Sequence, residues 1–173
     1  MIAPDFCEPI TGWRVWLLGT EEGRLRLQSV VFQTSWPAGE ELPAVCLHRR
    51  PRFLPWRRVR EPHAIPSPAC ACGVYATTLD LALRYLEYGR SETSVERVIG
   101  LVSLWGSVIE CERGWRGSYA YPAQLFVPVP RAGKRGIVDA EAAALQLADY
   151  GVPVELIDLP RDAELLTVFS AAA

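Results

Sequence analysis

The N-terminal part of the chain alternates apolar and polar residues in the way that is typical of β-strands. In residues 24–28, Leu25 and Leu27 fall on one side and arginine or glutamine on the other, as expected for a strand with one face in water. A second β-prone run precedes this one, and residues 19–23 between the two are Gly, Thr and Glu, which indicates a turn. The pattern predicts a β-hairpin within residues 12–36, which ends where a proline interrupts the ladder.

Two later segments space their apolar residues as helices do. The first covers residues 77–89, with a threonine that can cap its start and a glycine at its end. The second segment, residues 139–158, begins with a capping aspartate and finishes in a short terminal strand. Between them, residues 95–129 have the composition of long sheet strands, and we expect Gly100 and Gly106 to mark bulges there.

Length and composition place these elements in one domain. The chain has 173 residues, of which 50% are apolar and 22% charged, the make-up of a globular protein rather than a disordered or fibrous one. We therefore predict a single α+β domain over residues 1–173. Its parts would be a curved antiparallel sheet or small β-barrel, two packed helices, and a proline-rich loop at residues 43–73.

Charge and hydropathy exclude several classes of protein. A net charge of -2 gives the molecule as a whole no long-range attraction for nucleic acid or for an anionic membrane. Every apolar run is interrupted before the roughly 18 to 20 residues of a membrane span, and the first residues lack the basic and apolar blocks of an export signal. We therefore expect a cytoplasmic protein with no membrane partner. Five cysteines, an odd number, then favour thiols or metal ligands over a disulfide framework.

The strongest chemical signal is a cluster of cysteine and histidine in the proline-rich loop. Six prolines between positions 43 and 68 exclude a long helix, and a loop of this length is normally functional or held by something other than a core. Both histidines and three cysteines fall within 27 residues, and thiolate sulfur and imidazole nitrogen are the ligands that Zn²⁺ prefers. We predict that zinc ties the loop through Cys46, His63, Cys70 and Cys72, with His48 as a substitute for His63 or as a group just outside the ligand sphere.

The cysteine pair leaves alternatives open. One residue separates Cys70 from Cys72, fewer than the roughly two to four of common zinc knuckles, although Gly73 can adopt a positive φ that turns backbone N–H groups toward the sulfurs. The cysteines could instead be small buried apolar residues. A further alternative is a small metal- or cysteine-dependent enzyme or sensor in which His63 activates Cys72 as a nucleophile. The chain has no nucleotide-binding, serine-hydrolase or metalloprotease motif.

Three segments carry a resemblance to other sequences. They are Cys-Ala-Cys-Gly-Val-Tyr-Ala at 70–76, Val-Ile-Gly-Leu-Val-Ser-Leu-Trp-Gly at 98–106 and Gly-Trp-Arg-Gly-Ser-Tyr-Ala-Tyr-Pro at 114–122. Together they resemble a group of small uncharacterised bacterial proteins with a Cys-x-Cys-Gly-Ile/Val-Tyr-Ala segment that follows a histidine, as it follows His63 here. The resemblance implies a recurring module without an assigned activity. The tripeptide Gly-Trp-Arg also occurs at 12–14, which we interpret as coincidence because its surroundings do not match.

A basic and aromatic run lies between the predicted ligands. Residues 48–61 hold six arginines and one glutamate, a local charge of +5 that leaves -7 for the rest of the chain. Arginine grips phosphate and tryptophan stacks on unpaired bases. A solvated loop is the alternative, since 17 of the 18 basic residues in the chain are arginine. The residues expected to contact a partner are Arg49, Arg50, Arg52, Trp56, Arg57, Arg58 and Arg60.

These patterns favour a non-enzymatic binding or assembly module with a structural zinc ion. It would contact a protein or nucleic-acid partner through its Arg/Trp-rich loop. Exposed strand edges, or the apolar residues 165–169, are the features expected to support a homodimer. Cys111 falls in a predicted strand and is expected to be packed there.

Overall fold

The structure is a computed structural model that describes residues 8–32, 34–46, 63–87, 97–129, 139–159 and 166–168. It confirms the predicted α+β class, with mostly sheet and a few helices. No helix in these ranges is both long and apolar enough to span a bilayer. The elements are strands β1 (Ile10–Glu21), β2 (Arg24–Ser29), β3 (Leu42–Pro43) and β4 (Val74–Thr77), helix α1 (Leu79–Glu87), strands β5 (Arg97–Cys111) and β6 (Gly114–Pro128), helix α2 (Ala140–Leu147) and strand β7 (Val154–Ile157).

Four of the strands form a ring of hydrogen-bonded pairs. β1 pairs with β5, and β5 pairs with β6. β6 pairs with β4, which returns to β1 through Thr77 and Trp13. These pairs are antiparallel, as predicted for the main sheet. β7, the predicted short terminal strand, runs parallel to the end of β6, after the chain has passed through α2, the kind of crossover that a parallel pair requires.

The predicted N-terminal hairpin is confirmed, but its turn is shorter than expected. β1 continues to Glu21, and the turn is formed by Glu22 and Gly23, with φ angles of 50° and 77°. Positive φ at both positions matches the twist of the flanking strands. Gly19, predicted to lie in the turn, is inside β1, where an added Cβ would lie 2.2 Å from the Gln28 side chain. An added Cβ would therefore displace only the flexible end of the Gln28 side chain.

β5 and β6 are 15 residues long and pair along most of their length. Two register shifts interrupt the pair. Gly106 lies in the second shift with a φ of 75°, as predicted. Gly100 lies beside the first shift, whose extra residue is Ala123 of β6. A Cβ at Gly100 would lie 2.1 Å from the Gln124 carbonyl oxygen, so this glycine lets the two backbones approach closely instead of forming the bulge.

Apolar side chains pack in two main clusters, and β1 has a face in each. Trp16 belongs to the cluster covered by α2, and Trp13 to the cluster covered by α1. Asp139 caps α2 as predicted, because its side chain accepts a backbone N–H of the first helical turn. Gly151, with a φ of 68°, ends the 3-10 turn that follows α2. Helix α2 therefore covers one apolar cluster, and helix α1 covers the other.

A third and much smaller cluster lies where the ends of β3 and β4 meet β6. Its buried members are Cys46, Cys70 and Cys72, with Ile65 packed against them. Within the described ranges, apolar packing alone therefore contributes little to the order of these segments. The three cysteines are among the residues predicted to bind metal.

Candidate metal centre

The structure brings together the four side chains predicted to bind zinc. The ligand atoms of Cys46, His63, Cys70 and Cys72 all lie within 4.8 Å of one another. Cys46 follows β3, and the other two cysteines lie just before β4; both of these short strands pair with β6. The three cysteines are buried and form no disulfide among the described residues, and His63 is half-buried. The site therefore offers three sulfurs and one imidazole nitrogen.

The distances within the cluster fit a tetrahedral ion. Cys46 Sγ lies 3.7 Å from Cys70 Sγ, far beyond the roughly 2.05 Å of a disulfide. Cys72 Sγ lies 3.4 Å from His63 Nε2. Around a tetrahedral zinc ion, bonds of about 2.3 Å to sulfur and about 2.05 Å to nitrogen place two sulfurs about 3.8 Å apart and sulfur about 3.6 Å from nitrogen. The two measured separations are close to these values, so the cluster can take an ion with small movements.

Arg116 of β6 organises the turn that carries Cys70 and Cys72, a role that the sequence did not predict. Its side chain is buried and donates hydrogen bonds to the carbonyl oxygens of both cysteines, at 2.9 Å for Cys72. Hydrogen bonds from a cation are stronger than neutral ones, so they hold the turn firmly. Three thiolates around a divalent ion leave a net charge of about -1, which the guanidinium offsets.

The tripeptide Gly-Trp-Arg, which we interpreted as coincidence, lies on both sides of β4. One copy is in β1 and the other in β6, and both strands pair with β4. Arg14 donates a hydrogen bond to the Tyr75 carbonyl oxygen, and the Arg116 guanidinium lies 5.8 Å from the centre of the Tyr75 ring. The two arginines therefore contact β4 from the strands on its two sides, although nothing in the tripeptide itself indicates this contact.

Two further contacts attach the ligand-bearing segments to β6. The Ser118 hydroxyl donates to the Ile65 carbonyl oxygen at 2.6 Å, and the Ser118 carbonyl oxygen accepts the Ala44 N–H at 2.7 Å. Ala44 lies two residues before Cys46, and Ile65 lies two residues after His63. β6 thus positions the segments of all four ligands through two residues, Arg116 and Ser118.

Gly73 has the positive φ that the sequence predicted, at 122°. An added Cβ would lie 3.0 Å from Cβ of Arg116 and 3.1 Å from Cβ of Pro66. Both neighbours belong to the wall around the cysteine pair. Glycine therefore serves two purposes here, since it permits the backbone angle and lets the turn lie close to Arg116.

The two thiols of the pair differ in their tendency to ionise. Burial disfavours the Cys70 thiolate, but hydrogen bonds from the Cys46 side chain and the Cys72 backbone outweigh it and lower the pKa of Cys70 to about 6. Burial is the main cause that raises the pKa of Cys72, and the Cys70 sulfur adds to it. At neutral pH the pair thus holds one thiolate and one thiol. A divalent ion removes this conflict because it stabilises both thiolates together.

Of the remaining candidate residues, Cys111 lies in the described part of the chain and is not part of this cluster. Cys111, predicted to be packed in a strand, ends β5 half-buried, and its Sγ accepts a hydrogen bond from Arg116 Nε at 3.1 Å. Cys7 and His48 lie outside the described residues. So does the whole set predicted to contact a partner, which comprises Arg49, Arg50, Arg52, Trp56, Arg57, Arg58 and Arg60.

Comparison of the chain with protein-family models, with curated proteins and with solved structures found no match. The resemblance of residues 70–76 to a group of small bacterial proteins therefore stays a prediction. Function is therefore inferred from the geometry of the four ligands and from the contacts that hold them.

We expect Arg116→Met to weaken zinc binding. The variant loses the donors that fix the carbonyls of Cys70 and Cys72 and the charge that offsets the thiolates, and loss of such supporting contacts costs about 10- to 100-fold in metal affinity. Competition with a chromophoric chelator measures this affinity. Arg113→Met, at an exposed arginine nearby, is the matched control, and equal affinities for the two variants would contradict the role of Arg116.

Zinc affinity should rise with pH. At pH 7 Cys70 is already ionised, with its pKa of about 6, whereas the raised pKa of Cys72 means that the ion must displace its proton. We expect at least about one proton released per ion above pH 6, and one more below it as Cys70 becomes protonated. Calorimetry in buffers of different ionisation enthalpy counts these protons, and an affinity independent of pH would show that the cysteines are not the ligands.

Proposed function

We propose that this protein is a non-enzymatic binding or assembly module in which a structural zinc ion ties a loop to the sheet. The observation that carries the proposal is the set of four ligand atoms within 4.8 Å of one another. Four protein ligands complete a tetrahedral shell and leave no position for water or substrate, as in structural rather than catalytic zinc sites. Zinc is favoured over other divalent ions because three sulfurs and an imidazole form a soft donor set.

The energetics of the loop support a structural role for the ion. Among the described residues, Ile65 is the apolar residue packed against the buried cysteines, so burial of these residues offsets little of the entropy that is lost when their segments become ordered. Metal binding can offset that loss because the free energy of coordination becomes free energy of folding. The ion would thus stabilise this part of the fold, as the two apolar clusters stabilise the other parts.

A reactive cysteine is the second candidate. The distance of 3.4 Å between Cys72 Sγ and His63 Nε2 is that of a thiol–imidazole pair, as a small cysteine-dependent enzyme or sensor would need. Burial raises the pKa of Cys72, however, whereas a nucleophilic thiol needs a lowered pKa and access to solvent. The structural ion is therefore the better explanation of the pair.

The proposed ion would also restrain the basic run, because this run lies between two of the ligands in the sequence. Cys46 and His63 lie at the two ends of residues 47–62, and their ligand atoms lie within 4.8 Å of each other. A shared ion would hold both ends of this run together, and we propose that it presents the arginines and Trp56 to an anionic protein or nucleic acid. A cytoplasmic location, where thiols stay reduced, suits this proposal.

Protein purified without added zinc should contain about one equivalent of the metal by elemental analysis. Removal of the ion should lower the thermal midpoint by about 10 °C, equivalent to roughly 3 kcal/mol for a chain of this size. Cys70→Ser should lose both the metal and this stabilisation, because serine oxygen is a poor ligand for zinc. Cys111→Ser is the matched control, since Cys111 lies outside the four-ligand cluster, and it should keep its metal.

Two results would contradict the structural role. One is metal content well below half an equivalent together with a Cys70→Ser variant as stable as the native protein. The other is rapid alkylation of Cys72 in the metal-loaded protein, which would favour the reactive-cysteine alternative.

Binding to nucleic acid should involve the basic run and should weaken as the salt concentration rises. A labelled single-stranded RNA oligonucleotide should lose affinity steeply as salt rises, because each phosphate contact releases counterions. Arg57→Ala/Arg58→Ala should weaken binding by about tenfold or more and flatten the salt dependence by about one contact per arginine. Arg84→Ala/Arg113→Ala, at two exposed arginines outside the run, is the charge-matched control. Undetectable or salt-independent binding would leave an acidic protein as the partner to test.

A further inference from the structure

A groove of about 590 Å³ lies between β1, β4 and α1 and shares residues 71–73 with the surroundings of the metal centre. Its volume is within the roughly 300 to 1,000 Å³ that is typical of small-molecule sites. The walls are mainly apolar, with Val15, Val74 and Leu81 among them. No aspartate or glutamate of the described chain lines the groove, whereas Arg14 and Arg113 do.

Exposed apolar side chains are concentrated at this groove. Val31 is 74% exposed, Val45 67% and Phe32 62%. With Tyr75 and Tyr85, which also line it, they make up five of the ten large apolar side chains that are exposed in the described ranges. Apolar surface gathered around one concavity indicates a binding site, whereas scattered apolar residues do not.

Arg14 gives the groove an unbalanced positive charge. Its guanidinium donates to the carbonyl oxygen of Tyr75 and, at 3.1 Å, to the hydroxyl of Ser29, and it lies 4.9 Å from the centre of the Trp36 ring. The Arg14 Nε is buried and has no hydrogen-bond acceptor among the described residues. No carboxylate of the described residues forms an ion pair with Arg14. Burial lowers the pKa of Arg14 to about 10, so at neutral pH the side chain is still a cation.

We propose that the groove binds a small organic monoanion, a carboxylate on an apolar chain or ring. The carboxylate would pair with Arg14, whose planar fork suits two carboxylate oxygens, and the apolar part would lie along Val31, Phe32 and Val45. The mainly apolar walls favour a single negative charge over a phosphate dianion. A concave site of this volume favours a small molecule over a protein surface.

Calorimetry of the full, zinc-loaded chain with octanoate, octan-1-ol and octylammonium tests the proposal. We expect one octanoate per chain, bound roughly 10- to 100-fold more tightly than octan-1-ol, because the carboxylate adds charge-assisted hydrogen bonds. Octylammonium should bind most weakly, since Arg14 repels it. No octanoate binding, or equal affinities for the carboxylate and the ammonium ion, would overturn the proposal.

Variants then locate the site. Arg14→Met should remove the preference for octanoate over octan-1-ol. Val31→Asp adds a negative charge at an exposed edge of the groove, where it should preserve the fold and weaken octanoate binding by about fivefold or more. Leu145→Asp is the matched control, because Leu145 is 77% exposed on α2 and does not line the groove. If Arg14→Met does not fold, the comparison of Val31→Asp with Leu145→Asp decides, and equal affinities for these two variants overturn the proposal.

Discussion

The candidate metal centre depends on the hydrogen bonds from the buried Arg116 guanidinium to the carbonyl oxygens of Cys70 and Cys72. A single residue separates the two cysteines of this turn. Both sulfurs can point to the same metal ion only when the backbone of the turn is held in place. Arg116 fixes it from the side of β6, and its charge acts on the thiolates across the same short distance. A neutral donor could supply the geometry, but it would leave the charge of a metal–thiolate centre without a counterion in a buried place.

The length of the neighbouring strands explains why this corner needs a further restraint. β3 has two residues and β4 has four, and pairing over so few residues stabilises little without support from packing. Cys46 follows β3 and the cysteine pair precedes β4, so an ion bound to them joins the free ends of the two short strands. Ser118 contributes at the same point, because its hydroxyl and carbonyl oxygen reach the segments that lead to His63 and Cys46. Metal coordination and the contacts of β6 would therefore stabilise the same three segments, which carry Cys46, His63 and the cysteine pair.

Much of this arrangement could be predicted from the sequence because it depends on residue type. Soft ligands gathered in a loop with little apolar content indicate a metal site whatever the fold, and the structure brings together the four residues that the sequence selected. The capping role of Asp139 and the positive φ of Gly73 are likewise local properties. The role of Arg116 could not be predicted in this way, because nothing in its own segment shows that a turn more than 40 residues earlier in the chain packs against it. The same holds for the direction of β7, which the path of the chain through α2 determines.

The proposed metal centre and the proposed groove meet at residues 71–73, and this has a thermodynamic consequence. These residues include the ligand Cys72 and lead into β4, and they also line the groove. If the ion orders them, part of the conformational entropy that ordering the groove costs is already lost before any ligand binds. Since coupling between two sites is reciprocal, a ligand that contacts this wall must then favour metal binding by the same factor. A structural ion in this position therefore contributes to more than local stability, because its presence sets how well the neighbouring surface is preorganised for binding.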